Sequence, residues 1–103
     1  MNRAAELDAL IDELTVDAYN DEEQLGGFLV GAEAAIRRGE RATLTGVEVE
    51  VPAVDCGRDA RTGLLARVRH GEAAHEVSLA DLRFAAGSEF GVVVAAYRRW
   101  QAR

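Results

Sequence analysis

The chain has 103 residues and a formal net charge of −6, one domain's worth of sequence. Apolar residues make up 49% of it and charged residues 29%, which excludes a disordered chain, and it lacks the run of about eighteen apolar residues that a membrane helix needs. The single cysteine, Cys56, excludes an internal disulfide and cannot alone supply a cysteine zinc site.

The segment from Met1 to Glu6 leads into an acidic amphipathic stretch with no apolar signal-peptide core, so a reducing, cytoplasmic setting is expected. Charge is divided unevenly. Residues 1–36 carry nine acids against one base, Arg3, whereas residues 37–103 carry nine acids and eleven bases. The first third repels nucleic acid, whose binding rests on Lys and Arg at phosphates, and attracts cations. An acidic half also simply aids solubility. Every basic side chain is arginine.

Leu7, Leu10, Ile11 and Leu14 form one helical stripe and predict a helix over residues 3–14. Thr15-Val16 is β-branched and reads as extended. Asn20 is placed to cap a second helix, with Glu23 closing a capping box and Asp21, Glu22 and Glu23 favoured by the helix dipole. Leu25, Phe28, Leu29, Ala32 and Ile36 supply its apolar face. Gly26, Gly27 and Gly31 weaken it in isolation and predict a close approach by another element. The helix is expected to end near Arg37-Arg38-Gly39.

The period then changes to two. Val47, Val49 and Val51 alternate with Glu48 and Glu50 in a strand that Pro52 is expected to end. Residues 55–63 read as a loop. Leu64, Ala66 and Val68 alternate with Leu65, Arg67 and Arg69, His70 to Ala73 turns the chain, and a third strand runs through Val77. A short turn at Ser78–Asp81 precedes Leu82-Arg83-Phe84. Ser88 caps a last helix with Phe90, Val93, Val94, Tyr97 and Trp100 on its buried face. The expected fold is α+β: a small SH3-like barrel or sheet with two helices before it and one after. A single domain is expected, with an acidic helical segment at 1–38, strands within 42–85 and the C-terminal helix at 88–102. The helices should cover one opening of the sheet and share its core.

Residues 17–24 are the densest acidic patch. Six of the eight side chains carry a carboxylate or amide oxygen, and Ca²⁺ takes six to eight such oxygens. The patch is no EF-hand: Glu22 stands where the turn glycine belongs, and Phe28 where a bidentate Glu belongs. The same acids are equally those of a capped helix start. Elsewhere, Cys56, His70 and His75 lack the further ligands of a soft-metal site, and no third group orients Cys56 and a histidine for nucleophilic chemistry. Glu48 and Glu50 read as a solvated strand face, with Arg67 and Arg69 as their partners across the ladder. Gly26-Gly27 lies inside a helix and is no phosphate loop. Tyr97 and Trp100 read as core rather than a stacking platform.

The ordered set Asp17-Ala18-Tyr19, Glu22-Glu23-Gln24, Gly27-Phe28, Gly46-Val47-Glu48-Val49, Ser78-Leu79-Ala80-Asp81-Leu82 and Tyr97 to Trp100 resembles the small bacterial calcium-binding protein family typified by cyanobacterial CcbP. The resemblance runs from about Leu14 to Trp100. It implies an SH3-like β core with flanking helices and a non-enzymatic, acidic cytosolic protein that binds Ca²⁺. The implied metal ligands are Asp17, Asn20, Asp21, Glu22, Glu23 and Glu33. The chain departs from the family at Arg58 and Arg61 in the loop and at Ala95-Ala96 in the last helix, where acids are usual. An alternative reading is an SH3-like interaction module without metal, binding a protein partner or a second copy of itself. Neither reading involves nucleic acid or a membrane.

Overall fold

The computed structural model describes residues 2–57 and 61–103. Helix α1 spans Arg3–Leu14, with the Asn2 side chain accepting the Ala4 N–H at its start. Helix α2 spans Asp21–Ala35 and is capped by Asn20 as expected. It ends earlier than Arg37-Arg38-Gly39. Ile36 leaves the helix in extended geometry to pack against the core, and the left-handed Gly39 belongs to the following turn. Thr15-Val16 is not extended. Thr15 N–H and Oγ1 both donate to the Ile11 carbonyl, closing α1, and Ala18 N–H donates to the Thr15 carbonyl across a turn.

The strands are β1 (Arg41–Leu44), β2 (Val47–Cys56), β3 (Leu64–His70), β4 (Ala73–Ser78) and β5 (Leu82–Arg83), with a 3-10 turn at Leu79–Asp81 before the last. They form a five-stranded sheet in the order β4-β3-β2-β1-β5. Every pairing is antiparallel. The fold is therefore α+β, with three helices and a sheet that stays open between its β4 and β5 edges.

Two features of the sheet differ from the sequence expectation. Strand β1 makes a hairpin with β2 through Thr45-Gly46, both at positive φ (47° and 85°). That is the two-residue turn whose twist suits a hairpin, usually built from Asn-Gly. Pro52 does not end β2 but lies inside it. Glu50 faces Arg69 while Ala53 faces Arg67, so Val51-Pro52 sits in a bulge. A bulged residue needs no ladder partner, which suits a residue with no N–H to give.

Helix α3, Glu89–Gln101, starts at Ser88, whose Oγ accepts the Gly91 N–H. One core joins all the layers. Leu7 and Ile11 of α1 meet Leu25, Phe28 and Ala32 of α2, then Phe90, Val94 and Tyr97 of α3, over Val49, Val51, Leu64, Ala66 and Val68 of the sheet. The Phe28 ring lies 5.7 Å from Tyr97 and 5.1 Å from Trp100, contacts that add to their area burial. No helix among the described residues is long and apolar enough to cross a membrane.

Candidate functional site

The acidic patch occupies the turn between α1 and α2 and the first turn of α2. Asp17 sits at φ 61°, the left-handed region that Asp tolerates better than most residues. Its backbone reverses the chain, so that Tyr19 and Asn20 enter α2 from outside. Asn20 Oδ1 accepts the Glu23 N–H at 2.8 Å. Glu23 reaches back, with Oε2 accepting the Tyr19 N–H at 3.1 Å and Oε1 accepting from Asn20 Nδ2 at 3.3 Å. This is a capping box displaced by one residue, because Glu23 satisfies the N–H before the cap rather than that of the cap itself.

The structure thus joins two of the six expected ligands and gives them a structural task. Asp17, Asp21 and Glu22 are exposed, with no hydrogen bond or ion pair among the described residues. Glu33 is also exposed but lies twelve residues along α2 from Asp21, about 18 Å at the rise of a helix. Among the described residues, no group of three or more His, Cys, Asp or Glu side chains stands close enough to share a metal ion. Asp17, in the turn, and Asp21 and Glu22, in the first turn of α2, are carboxylates of the type a hard cation takes, but they do not converge on one point.

Charges near the patch are mixed. A cleft beside Asp21 is lined by Gln24, Trp100, Gln101, Arg61 and Arg103. Trp100 Nε1 donates to Gln24 Oε1 at 2.7 Å, tying α3 to the start of α2. Arg103 is engaged elsewhere: it donates to Asp8 at 2.9 Å, and Arg99 grips the same carboxylate with bonds of 2.7 and 3.1 Å. Those hydrogen bonds from Arg99 and Arg103 hold the Asp8 carboxyl at about 2, below its ordinary 3.8. One acid of the negative first third therefore serves as an α1–α3 clamp.

The other sequence candidates resolve simply. Cys56 is exposed, and it joins neither His70 nor His75 in a metal-binding group among the described residues. Glu50 pairs with Arg69 at 3.5 Å, as expected, but Glu48 pairs with Arg41 of the β1–β2 hairpin, not with Arg67. Arg67 faces Glu76 of β4 instead. Tyr97 is fully buried, and its hydroxyl accepts the Leu64 N–H at 2.8 Å. Burial pushes the Tyr97 hydroxyl up from its ordinary value. Trp100 is half-buried against Phe28. Arg58 and Asp59, read from sequence as part of a loop, lie outside the described residues. Sequence reasoning missed a second cleft, lined by Arg3, Arg83 and Arg98, because nothing local links residues so far apart in the chain.

No family model matches the sequence, and no curated protein is significantly similar to it. Two solved structures share the fold. The crystal structure of Anabaena CcbP superposes with a TM-score of 0.77 at 17% identity, covering 100% of this chain and 94% of that one. A calcium-binding protein in its calcium-binding form superposes with a TM-score of 0.74 at 17% identity, covering 95% of this chain and 90% of that one. The family resemblance drawn from sequence is therefore met by a likeness of fold along the length of the chain.

Proposed function

We propose that this protein binds Ca²⁺ at the α1–α2 turn and acts as a non-enzymatic, cytoplasmic calcium-binding protein. The observation that carries the reading is the whole-chain likeness in fold to CcbP and to a protein solved in its calcium-binding form. Asp17, Asp21 and Glu22 are the proposed ligands. Each has a free carboxylate, and backbone carbonyls and water complete the oxygen count that Ca²⁺ takes. Asn20 and Glu23 fix the helix start that carries these ligands through the hydrogen bonds of the cap. Glu33 is a ligand only if α2 bends or a second ion binds.

Binding draws three like charges together around a cation and so removes their repulsion. A ligand that prefers the native state stabilises it by mass action. The SH3-like reading of the sheet is supported by the 3-10 turn before β5 and by β5 pairing beside β1.

Calorimetric titration with CaCl₂ should give saturable binding that weakens at least about tenfold in Asp21→Asn/Glu22→Gln, the loss of two charged ligands costing more than about 1.4 kcal/mol. No heat at millimolar Ca²⁺ rejects the reading.

A second reading, an interaction module without metal, is favoured by a different observation. The same turn exposes Val16 (68%) and Tyr19 (87%), apolar surface suited to a protein partner or a second copy. Concentration-dependent dimerisation on size exclusion, unchanged by Ca²⁺, supports it.

A further inference from the structure

Among the described residues five arginines hold a carboxylate and six do not, the six being Arg3, Arg38, Arg61, Arg67, Arg83 and Arg98. Three of the six, Arg3, Arg83 and Arg98, come from the first turn of α1, from β5 and from the last turn of α3, and they line one cleft. No Asp or Glu is among the cleft's described lining residues.

The convergence is unfavourable as it stands. Arg98 is half-buried. Its guanidinium is pushed below its ordinary value by burial and then by the charge of Arg83. Both are held in place by the backbone. Arg83 Nη1 donates to the carbonyls of Ala80 and Leu82 at 3.0 and 3.2 Å, and Arg98 Nη1 donates to the Leu82 carbonyl at 3.5 Å. Arg83 also lines two neighbouring clefts, one with Asp81 and one with Glu48, but forms an ion pair with neither. Arg83 and Arg98 share the Leu82 carbonyl, and an anion between them relieves the repulsion of their like charges. The forked donors of a guanidinium match the oxygens of phosphate. One wall is apolar and made of small residues, Gly91, Val92 and Ala95 of α3, under the Phe84 ring. The cleft has a volume of about 360 Å³, within the range that takes a small organic ligand.

We propose that this cleft binds a small phosphate-bearing anion, with Arg3, Arg83 and Arg98 around the phosphate and the α3 wall against its organic part. A phosphate monoester carries close to two charges at neutral pH and three acceptor oxygens, which answers three unpaired guanidinium groups. The proposal is independent of the calcium reading, because it uses neither the Trp100–Gln24 contact nor any residue of the acidic turn.

The test is an amide NMR titration of the full chain in calcium-free buffer at constant ionic strength, using inorganic phosphate in one arm and phenyl phosphate in the other. Saturable shifts centred on Gly87, Gly91 and Ala95 are expected in both arms. Tighter binding of phenyl phosphate identifies an ester as the ligand, and equal binding identifies free phosphate. Arg98→Gln should weaken binding about tenfold, the worth of one charge-assisted hydrogen bond. Arg3→Gln, which removes no hydrogen bond within the fold, should show a loss in the same direction if Arg98→Gln fails to fold. Arg61→Gln, in the cleft beside Asp21, should change nothing. Absence of saturable shifts, or binding that survives both Arg98→Gln and Arg3→Gln, overturns the proposal.

Discussion

Gly27 has no room for a side chain: a Cβ there would stand on the backbone carbonyl oxygen of Leu14. One turn later, a Cβ on Gly31 would lie 2.6 Å from Leu14 Cδ2. The end of α1 is thus seated in a notch cut into α2 by missing side chains, the close approach that the glycine-rich helix predicts. Gly26 differs, because a Cβ there meets nothing within 4 Å. The three glycines are indistinguishable in the sequence, since only the partner's position decides which one is needed. Gly26→Ala should therefore raise stability by up to about 1 kcal/mol, the cost of glycine inside a helix. Gly27→Ala should lower it by more than that, because backbone cannot move aside as a side-chain tip can. Urea denaturation of the two variants beside the parent checks the opposite signs.

Elements are held to one another by polar clamps at their ends. Asp8 of α1 takes both Arg99 and Arg103 of the C-terminal segment, and the Arg99 pair is bidentate, the strong geometry for such a contact. Because the carboxyl is held at about 2 against an ordinary 3.8, the clamp is complete above the ordinary value. It is lost as pH falls through about 2. Solvent exposure of all three side chains keeps its contribution modest. The melting temperature of Asp8→Asn should thus lie below the parent's near neutral pH, and the gap should close as pH falls towards about 2. A gap independent of pH would assign the effect to packing.

At this scale the sequence was legible where the signal is local. Asn20 and Ser88 show their caps, and the 3.6-residue stripe shows α1 and α3 to within a residue or two. Pro52 and Thr45-Gly46 were not legible. A bulge absorbs a proline only because of what the neighbouring strand does, and Thr carries little of the turn preference that Asn has at positive φ. The early end of α2 was hidden for a similar reason. Ile36 fits the helical period but is drawn out by its place in the core beyond the helix.

Across the whole molecule, the sign of charge separates into two regions with different chemistry. The acidic turn between α1 and α2 presents Asp17, Asp21 and Glu22 to solvent, while the cleft under α3 gathers unpaired arginines from three elements. The first was legible as a run of acids. The second was not, because Arg3, Arg83 and Arg98 become neighbours only through folding. The likeness to CcbP extends the family resemblance from motif order to three-dimensional arrangement. What sequence left open was whether the acids meet, and among the described residues no three of them stand close enough to share an ion. The structure joins Asn20 to Glu23 in a cap and leaves Glu33 far along α2, which narrows the proposed ligands to the turn itself. The central claim is that Ca²⁺ collects those turn carboxylates. Amide NMR of the full chain titrated with CaCl₂, with MgCl₂ at equal ionic strength as the control, tests it most directly. The account predicts saturable Ca²⁺-specific shifts concentrated on residues 17–24; shifts absent there, or equal for the two salts, would contradict it.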